Sequence, residues 1–245
     1  MDEVARISQW LADSGRMNFT FLYDSFDRGR LLTGIGNTLL LSLYSIVLSV
    51  MIGIAGAYVI TARIPVAARA TEMLVRLCRN SPPLLILYLF FFGLAAFAMQ
   101  ASGGRMNWLL GSGFFWATIA ISIYIGAFNI ESLRAGIETV PPSLGEAAAA
   151  LGLTRLKTFA LIVLPLGFRV ALPSLTNNLV ELVKTTSYGY AVGVAEVLYV
   201  SSQIWADSLN VMEMMITLFV VFTVLVGFVV VAMTMLERRL RLVTR

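Results

Sequence analysis

Pro141 to Pro165, PPSLGEAAAALGLTRLKTFALIVLP, is the longest interruption in an otherwise very apolar chain. It reads as two short helices around a glycine. Ser143 and Glu146 have the S-x-x-E spacing of a capping box, which predicts a helix N-cap at Ser143. Pro141 and Pro142 suit a chain entering a helix. Ala147 to Leu151 are strong helix formers, and Gly152 stands where a left-handed C-terminal stop is needed. A second helix is expected from about Thr154 into Leu164 and Pro165. A turn of alanines has almost no side chain, so another surface can approach its backbone closely.

Glu146-Ala147-Ala148, Gly152, Ile162, Leu164 and Pro165 fit E-A-A-x3-G-x9-I-x-L-P at every position. The stretch thereby resembles the EAA loop of ABC importer permeases. The resemblance implies a cytoplasmic coupling helix that sits in a groove of an ATP-hydrolysing subunit. It gives Glu146, Ala147, Ala148 and Gly152 the role of coupling to that ATPase.

Composition places the chain in a membrane. The 245 residues are 58% hydrophobic and 13% charged, with mean hydropathy +0.84; soluble domains carry about 25% charged residues. The long apolar runs favour helices, because barrel strands alternate. The length allows about five or six spans. With no histidine and Cys78 as the only cysteine, intrachain disulfides are excluded, and histidine- or cysteine-based metal sites and a His-dependent triad are not expected. No G-x4-G-K-[ST] phosphate loop occurs, so ATP and magnesium would belong to a partner chain. The mixed, polar start from Met1 to Arg30 is not a signal peptide, so the first span is expected to act as its own insertion signal.

Five spans are expected, in an all-α integral membrane protein. Residues 1–33 are read as an extracytoplasmic segment and 34–245 as the membrane domain. Span one is expected at about Thr38 to Ala62, with Ser49, Gly53 and Ala57 as a small-residue stripe for helix packing. Arg63, Arg69, Arg76 and Arg79 follow in a short loop that marks the cytoplasmic side. Ser81-Pro82 is read as an N-cap and first turn, opening span two, about Pro83 to Met99. A glycine-rich loop with Trp108 as an interfacial anchor follows. Span three is expected at about Phe114 to Ile130, and Glu131 can pair with Arg134 one turn on. Between Thr158 and Val183, hydropathy alone allows a single span. Pro165 and Pro173 argue instead for a break at Pro165 and a span from about Phe168 to Thr186. Tyr188 to Gly193 reads as flexible, and an ambiguous apolar patch runs to about Trp205. Span five is expected at about Met212 to Leu236, with Glu213 near its outer end and a basic tail inside.

Arg79-Asn80-Ser81-Pro82 and the run Gly126 to Ile137 resemble motifs of the polar amino-acid subfamily, with Phe128 in place of tyrosine. Pro173, Asn178, Lys184, Thr186 and Ser187 resemble its L-P-x4-N and K-D-T-S-L patterns, with Thr185 replacing aspartate and Tyr188 replacing leucine. The resemblance implies uptake of polar amino acids or derivatives such as opines. It implies as partners a second permease, identical or homologous, two ATPase subunits and an extracytoplasmic solute-binding protein, at the bacterial inner membrane.

Asn177, Glu181 and Lys184 recur at steps of four and three and share one helix face. Charges within a span must face the bundle, each other or a wet cavity. A face with both signs suits the ammonium and carboxylate of an amino acid, or else simply locks helices together. Asn177, Asn178, Glu181, Lys184, Ser187 and, further in, Glu131 are the candidate substrate residues. A self-sufficient secondary transporter or channel, with Glu131, Glu181 and Lys184 as ion sites, is the alternative class.

Overall fold

The computed structural model describes residue 6, residues 17–101 and residues 111–240. The expectations for Trp108, for most of residues 1–16 and for the last tail residues lie outside these. The described chain is helical throughout. Five helices are long and apolar enough to cross a bilayer: α1 (Ser25–Thr61), α3 (Pro83–Ala101), α4 (Gly113–Glu138), α6 (Arg155–Val192) and α8 (Val211–Leu240). Three short helices join them: α2 (Pro65–Arg79), α5 (Pro142–Ala150) and α7 (Val197–Ser208).

The bundle is built round α4. Its apolar window is 61% buried, against 11–33% for the other four spans, and it packs on α1, α2, α3 and α6. Small residues allow this. A Cβ on Gly136 would stand 2.3 Å from the Gly167 carbonyl oxygen, and one on Gly53 would stand 2.7 Å from Asn129 Cβ. The Ser49–Gly53–Ala57 stripe is buried against α4 as expected. Bilayer-facing surfaces stay apolar; Phe219, Val224, Phe228 and Met235 on α8 are 61–74% exposed.

Several boundaries differ from the sequence expectations for identifiable reasons. α1 starts at Ser25, because Asp24 accepts from the Phe26 and Asp27 amides and caps it. Asp27, Arg28 and Arg30 depress hydropathy there without ending the helix. Residues 65–79 are not a loop. Pro65 opens an amphipathic helix whose Val75 and Cys78 are buried, the expected pattern for a helix lying along a surface. α3 opens at Pro83 with Pro82 as N-cap, and the Ser81 side chain makes no cap bond.

Pro165 does not break its helix. The chain widens into a π-turn over Phe159–Val163 and continues as α-helix from Leu164 to Thr185. A proline lacks an N–H and crowds the carbonyl four residues back. Widening the preceding turn accommodates that defect within one continuous element. Thr186–Val192 is a 3₁₀ extension, ended by Gly193 at φ +75°. The apolar patch after it is the 12-residue α7, too short to span.

At the end where α1 and α8 begin, Phe21, Leu31, Val197, Ile204 and Met214 form a separate apolar cluster. Arg30 binds Asp27 and Asp207 there. Buried Glu213 accepts from the Asn18 amide at 2.5 Å and holds the preceding segment onto α8.

Candidate functional site

Two constellations carry the candidate residues: the α4–α5–α6 turn with its ring of cations, and the polar face of α6.

The expected hairpin is present, with one correction. α5 begins at Pro142 with Pro141 as N-cap and no side-chain cap bond, so Ser143 and Glu146 form no capping box. Ser143 sits inside the first turn, because the two prolines already set the helical entry. The stop is as expected. Gly152 has φ +76°; its amide reaches the Ala149 carbonyl at 2.9 Å, and the Leu153 amide reaches Ala148 at 3.0 Å. These are the two bonds of a Schellman motif. Thr154 then caps the next helix through the Lys157 amide at 3.4 Å. Ala148 is buried against the protein, while Glu146, Ala147 and Ala150 are exposed. Leu151 is 81% exposed. α5 therefore presents a small apolar knob carrying one carboxylate.

Beside it, a cleft of about 1050 Å³ lies among the ends of α1, α2 and α4. Arg63, Arg76, Arg79 and Arg134 line it together with Glu72, Glu131 and Glu138. Glu131 is its centre. It accepts from Arg134 Nη2 at 2.8 Å and Nε at 3.2 Å, and Arg79 Nη1 lies 3.6 Å away. Arg134 also reaches Glu138. The Glu131–Arg134 pair read from sequence is thus made, and its carboxylate also ties α2 to α4. Arg79 stacks over the Phe128 ring at 6.0 Å.

On α6, Ser174, Asn177, Glu181, Lys184 and Tyr188 are exposed along one face. Lys184 Nζ lies 3.7 Å from Glu181 Oε2, with side chains 57% and 54% exposed. A face carrying two charges is not a lipid surface, since each would cost roughly 2.5–3.5 kcal/mol at mid-bilayer. Asn178 points elsewhere. Its amide donates to Asn129 Oδ1 at 3.1 Å and to Ser132 Oγ at 3.0 Å, and Ser132 bonds Ser174 at 2.7 Å. Asn178 therefore stitches α6 to α4. Ser187 is half-buried and donates to the Lys184 carbonyl at 2.8 Å. So Asn177, Glu181 and Lys184 share one exposed face, whereas Asn178 turns toward α4, Ser187 is half-buried with its hydroxyl on the Lys184 carbonyl, and Glu131 pairs with Arg134 and Arg79. Asn129, Ser132 and Ser174 were missed. Their signal was polar residues within apolar spans, at positions that hydropathy alone does not single out. No group of three His, Cys, Asp or Glu able to hold a metal occurs among the described residues.

A five-span helical bundle with a short helix protruding between its third and fourth spans, beside a ring of arginines, is the architecture of a membrane permease. The profile of the family described as binding-protein-dependent transport system inner membrane component matches residues 45–242. The chain belongs to that family. It is 32% identical to the probable glutamine ABC transporter permease protein GlnM of Bacillus subtilis (strain 168), over 91% of this chain and 98% of that one. It is 26% identical to the octopine transport system permease protein OccM of Rhizobium radiobacter, over 89% and 87% of the two chains. It shares its fold with a crystal structure of an amino acid ABC transporter at TM-score 0.70 and 22% identity, covering 91% of this chain and all of that one.

Proposed function

We propose that this chain is the permease subunit of an ATP-driven importer for polar amino acids or their derivatives, fed by a solute-binding protein. The observation that carries the reading is the family match across residues 45–242, which includes the exposed α5 knob. The relatives named for glutamine and octopine support the substrate class. The basic end, with Arg63, Arg76, Arg79, Arg134 and Arg155, is the cytoplasmic one by the positive-inside tendency. α5 then projects toward an ATPase subunit, which holds ATP and magnesium. Gly152 and its Schellman bonds fix the angle at which Glu146, Ala147 and Leu151 are offered. The described residues ahead of α1, 17–24, are extracytoplasmic.

The Asn177–Glu181–Lys184 face lines the path, against a second permease subunit that is identical or homologous. With both signs of charge at 3.7 Å spacing, it offers a carboxylate to an ammonium and an ammonium to a carboxylate. Closing and opening of the ATPase pair, carried through α5, rocks α4 and α6 and exposes this face to alternate sides. The test is copurification with the co-encoded subunits, followed by ATPase measurement across a panel of amino acids. Stimulation by one class in the presence of the binding protein supports the reading. Failure of any ATPase to associate with the chain refutes it.

A further inference from the structure

A second cleft, of about 360 Å³, opens beside α5 between the end of α1 and the π-turn of α6. Arg63 and Arg155 line it, and no carboxylate does. Among the described residues neither guanidinium has an ion-pair partner. The larger cleft, which Arg63 also borders, differs. There Glu72, Glu131 and Glu138 pair with Arg76, Arg79 and Arg134 and offset most of the positive charge. Arg63 is held at φ +53°, a backbone conformation uncommon outside glycine. Below the cations the wall turns apolar. Tyr58 and Phe159 meet edge-on at 4.9 Å, and Val163 continues the wall along α6. On the same stretch of α6, outside the cleft lining, Leu156 and Leu161 are 58% and 66% exposed.

We propose that this cleft holds the headgroup of an anionic phospholipid from the leaflet at the basic end. The two unpaired guanidiniums supply the phosphate contacts. The rings and Val163 receive the glycerol and the first acyl carbons. α1 and α6 are both spans, so the cleft sits where hydrocarbon meets water. A free phosphate would satisfy the cations and leave the aromatic wall without a partner. The lipid would brace α5 along its Gly145–Ala149 side. The proposal requires residence in a membrane and does not depend on the transport assignment.

The test is native mass spectrometry of the full-length protein equilibrated with mixed phosphatidylcholine and phosphatidylglycerol. Wild type is expected to retain phosphatidylglycerol preferentially. Each arginine near a membrane surface contributes about fivefold in affinity for anionic lipid, so R63Q/R155Q should lose roughly thirty-fold. The charge-keeping R63K/R155K should retain most of the preference, which separates charge loss from misfolding. Equal retention by wild type and R63Q/R155Q overturns the proposal. So does displacement of the lipid by millimolar inorganic phosphate, which would make this a free-anion site. Unchanged lipid retention with loss of the copurifying ATPase would assign the two arginines to a protein partner and overturn it as well.

Discussion

The guanidinium of Arg79 lies 3.6 Å from the carboxylate of Glu131, which ties the end of the surface helix α2 to the central span α4. The same carboxylate is already held twice by Arg134. Glu131 is therefore a joint between three helical positions at the mouth of the bundle. Its side chain is about one-third exposed, so each pair is worth only about 0.2–1 kcal/mol. A double-mutant cycle of Arg79→Gln and Glu131→Gln should return a coupling of that size, measured by thermal unfolding in detergent. Glu131→Gln should leave the concentration dependence of transport unchanged. A large shift in that dependence would return Glu131 to the ligand path.

Gly152 separates backbone from side-chain effects. A Cβ there would meet nothing within 4 Å, yet φ is +76°. The cost of substitution is therefore conformational, about 1–2 kcal/mol for an ordinary L residue and less for asparagine. Gly152→Val should insert normally, bind the ATPase weakly and transport little, while Gly152→Asn keeps most activity. Equal transport by Gly152→Val and wild type would contradict the role of this turn.

Glu196 lies after the fourth span, fully buried, and caps α7 through the Leu198 and Tyr199 amides at 2.9 and 2.8 Å. Burial pushes its carboxyl from the ordinary 4.5 up to about 7, and the two amide bonds only partly oppose this. A raised folded-state value means that the folded protein holds the proton longer than the unfolded chain. Stability from this group is full below pH 4.5, declines as pH rises toward 7 and is flat above. The midpoint of thermal unfolding should fall across that window in wild type. In Glu196→Gln this component of the slope should vanish; an unchanged slope would show that Glu196 is not its source.

How much of this was legible in the sequence depended on what each residue competes with. α3 and α8 were found within a few residues, because uninterrupted apolar runs leave no other reading. The α5 stop was legible because only glycine suits a left-handed C-terminal position beside so many helix formers. The Ser143 cap was misplaced because two prolines had already set the entry. Pro165 misled, since a single residue does not reveal that the preceding turn can widen to accept it. α2 was hidden by its arginines, which read as loop until the buried Val75 and Cys78 show the inward face. Asn177, Glu181 and Lys184 followed from helical spacing alone. The Asn129–Asn178–Ser132–Ser174 network did not, because it spans two helices whose relative rotation is a tertiary fact.

The α6 face separates ligand contact from helix locking. Glu181→Gln should keep assembly and basal ATPase activity and raise the half-saturating substrate concentration several-fold. The charge-swapped pair Glu181→Lys with Lys184→Glu should fail to restore it. Full restoration by the swap would make the pair a structural lock.

The most direct measurement is uptake of radiolabelled amino acids into proteoliposomes that contain this chain with its co-encoded subunits. Uptake should require ATP on the α5 side and the solute-binding protein on the other. It should vanish when the ATPase subunit is inactivated, whatever ion gradient is imposed. Uptake by this chain alone, driven by a proton or sodium gradient without ATP, would contradict the assignment.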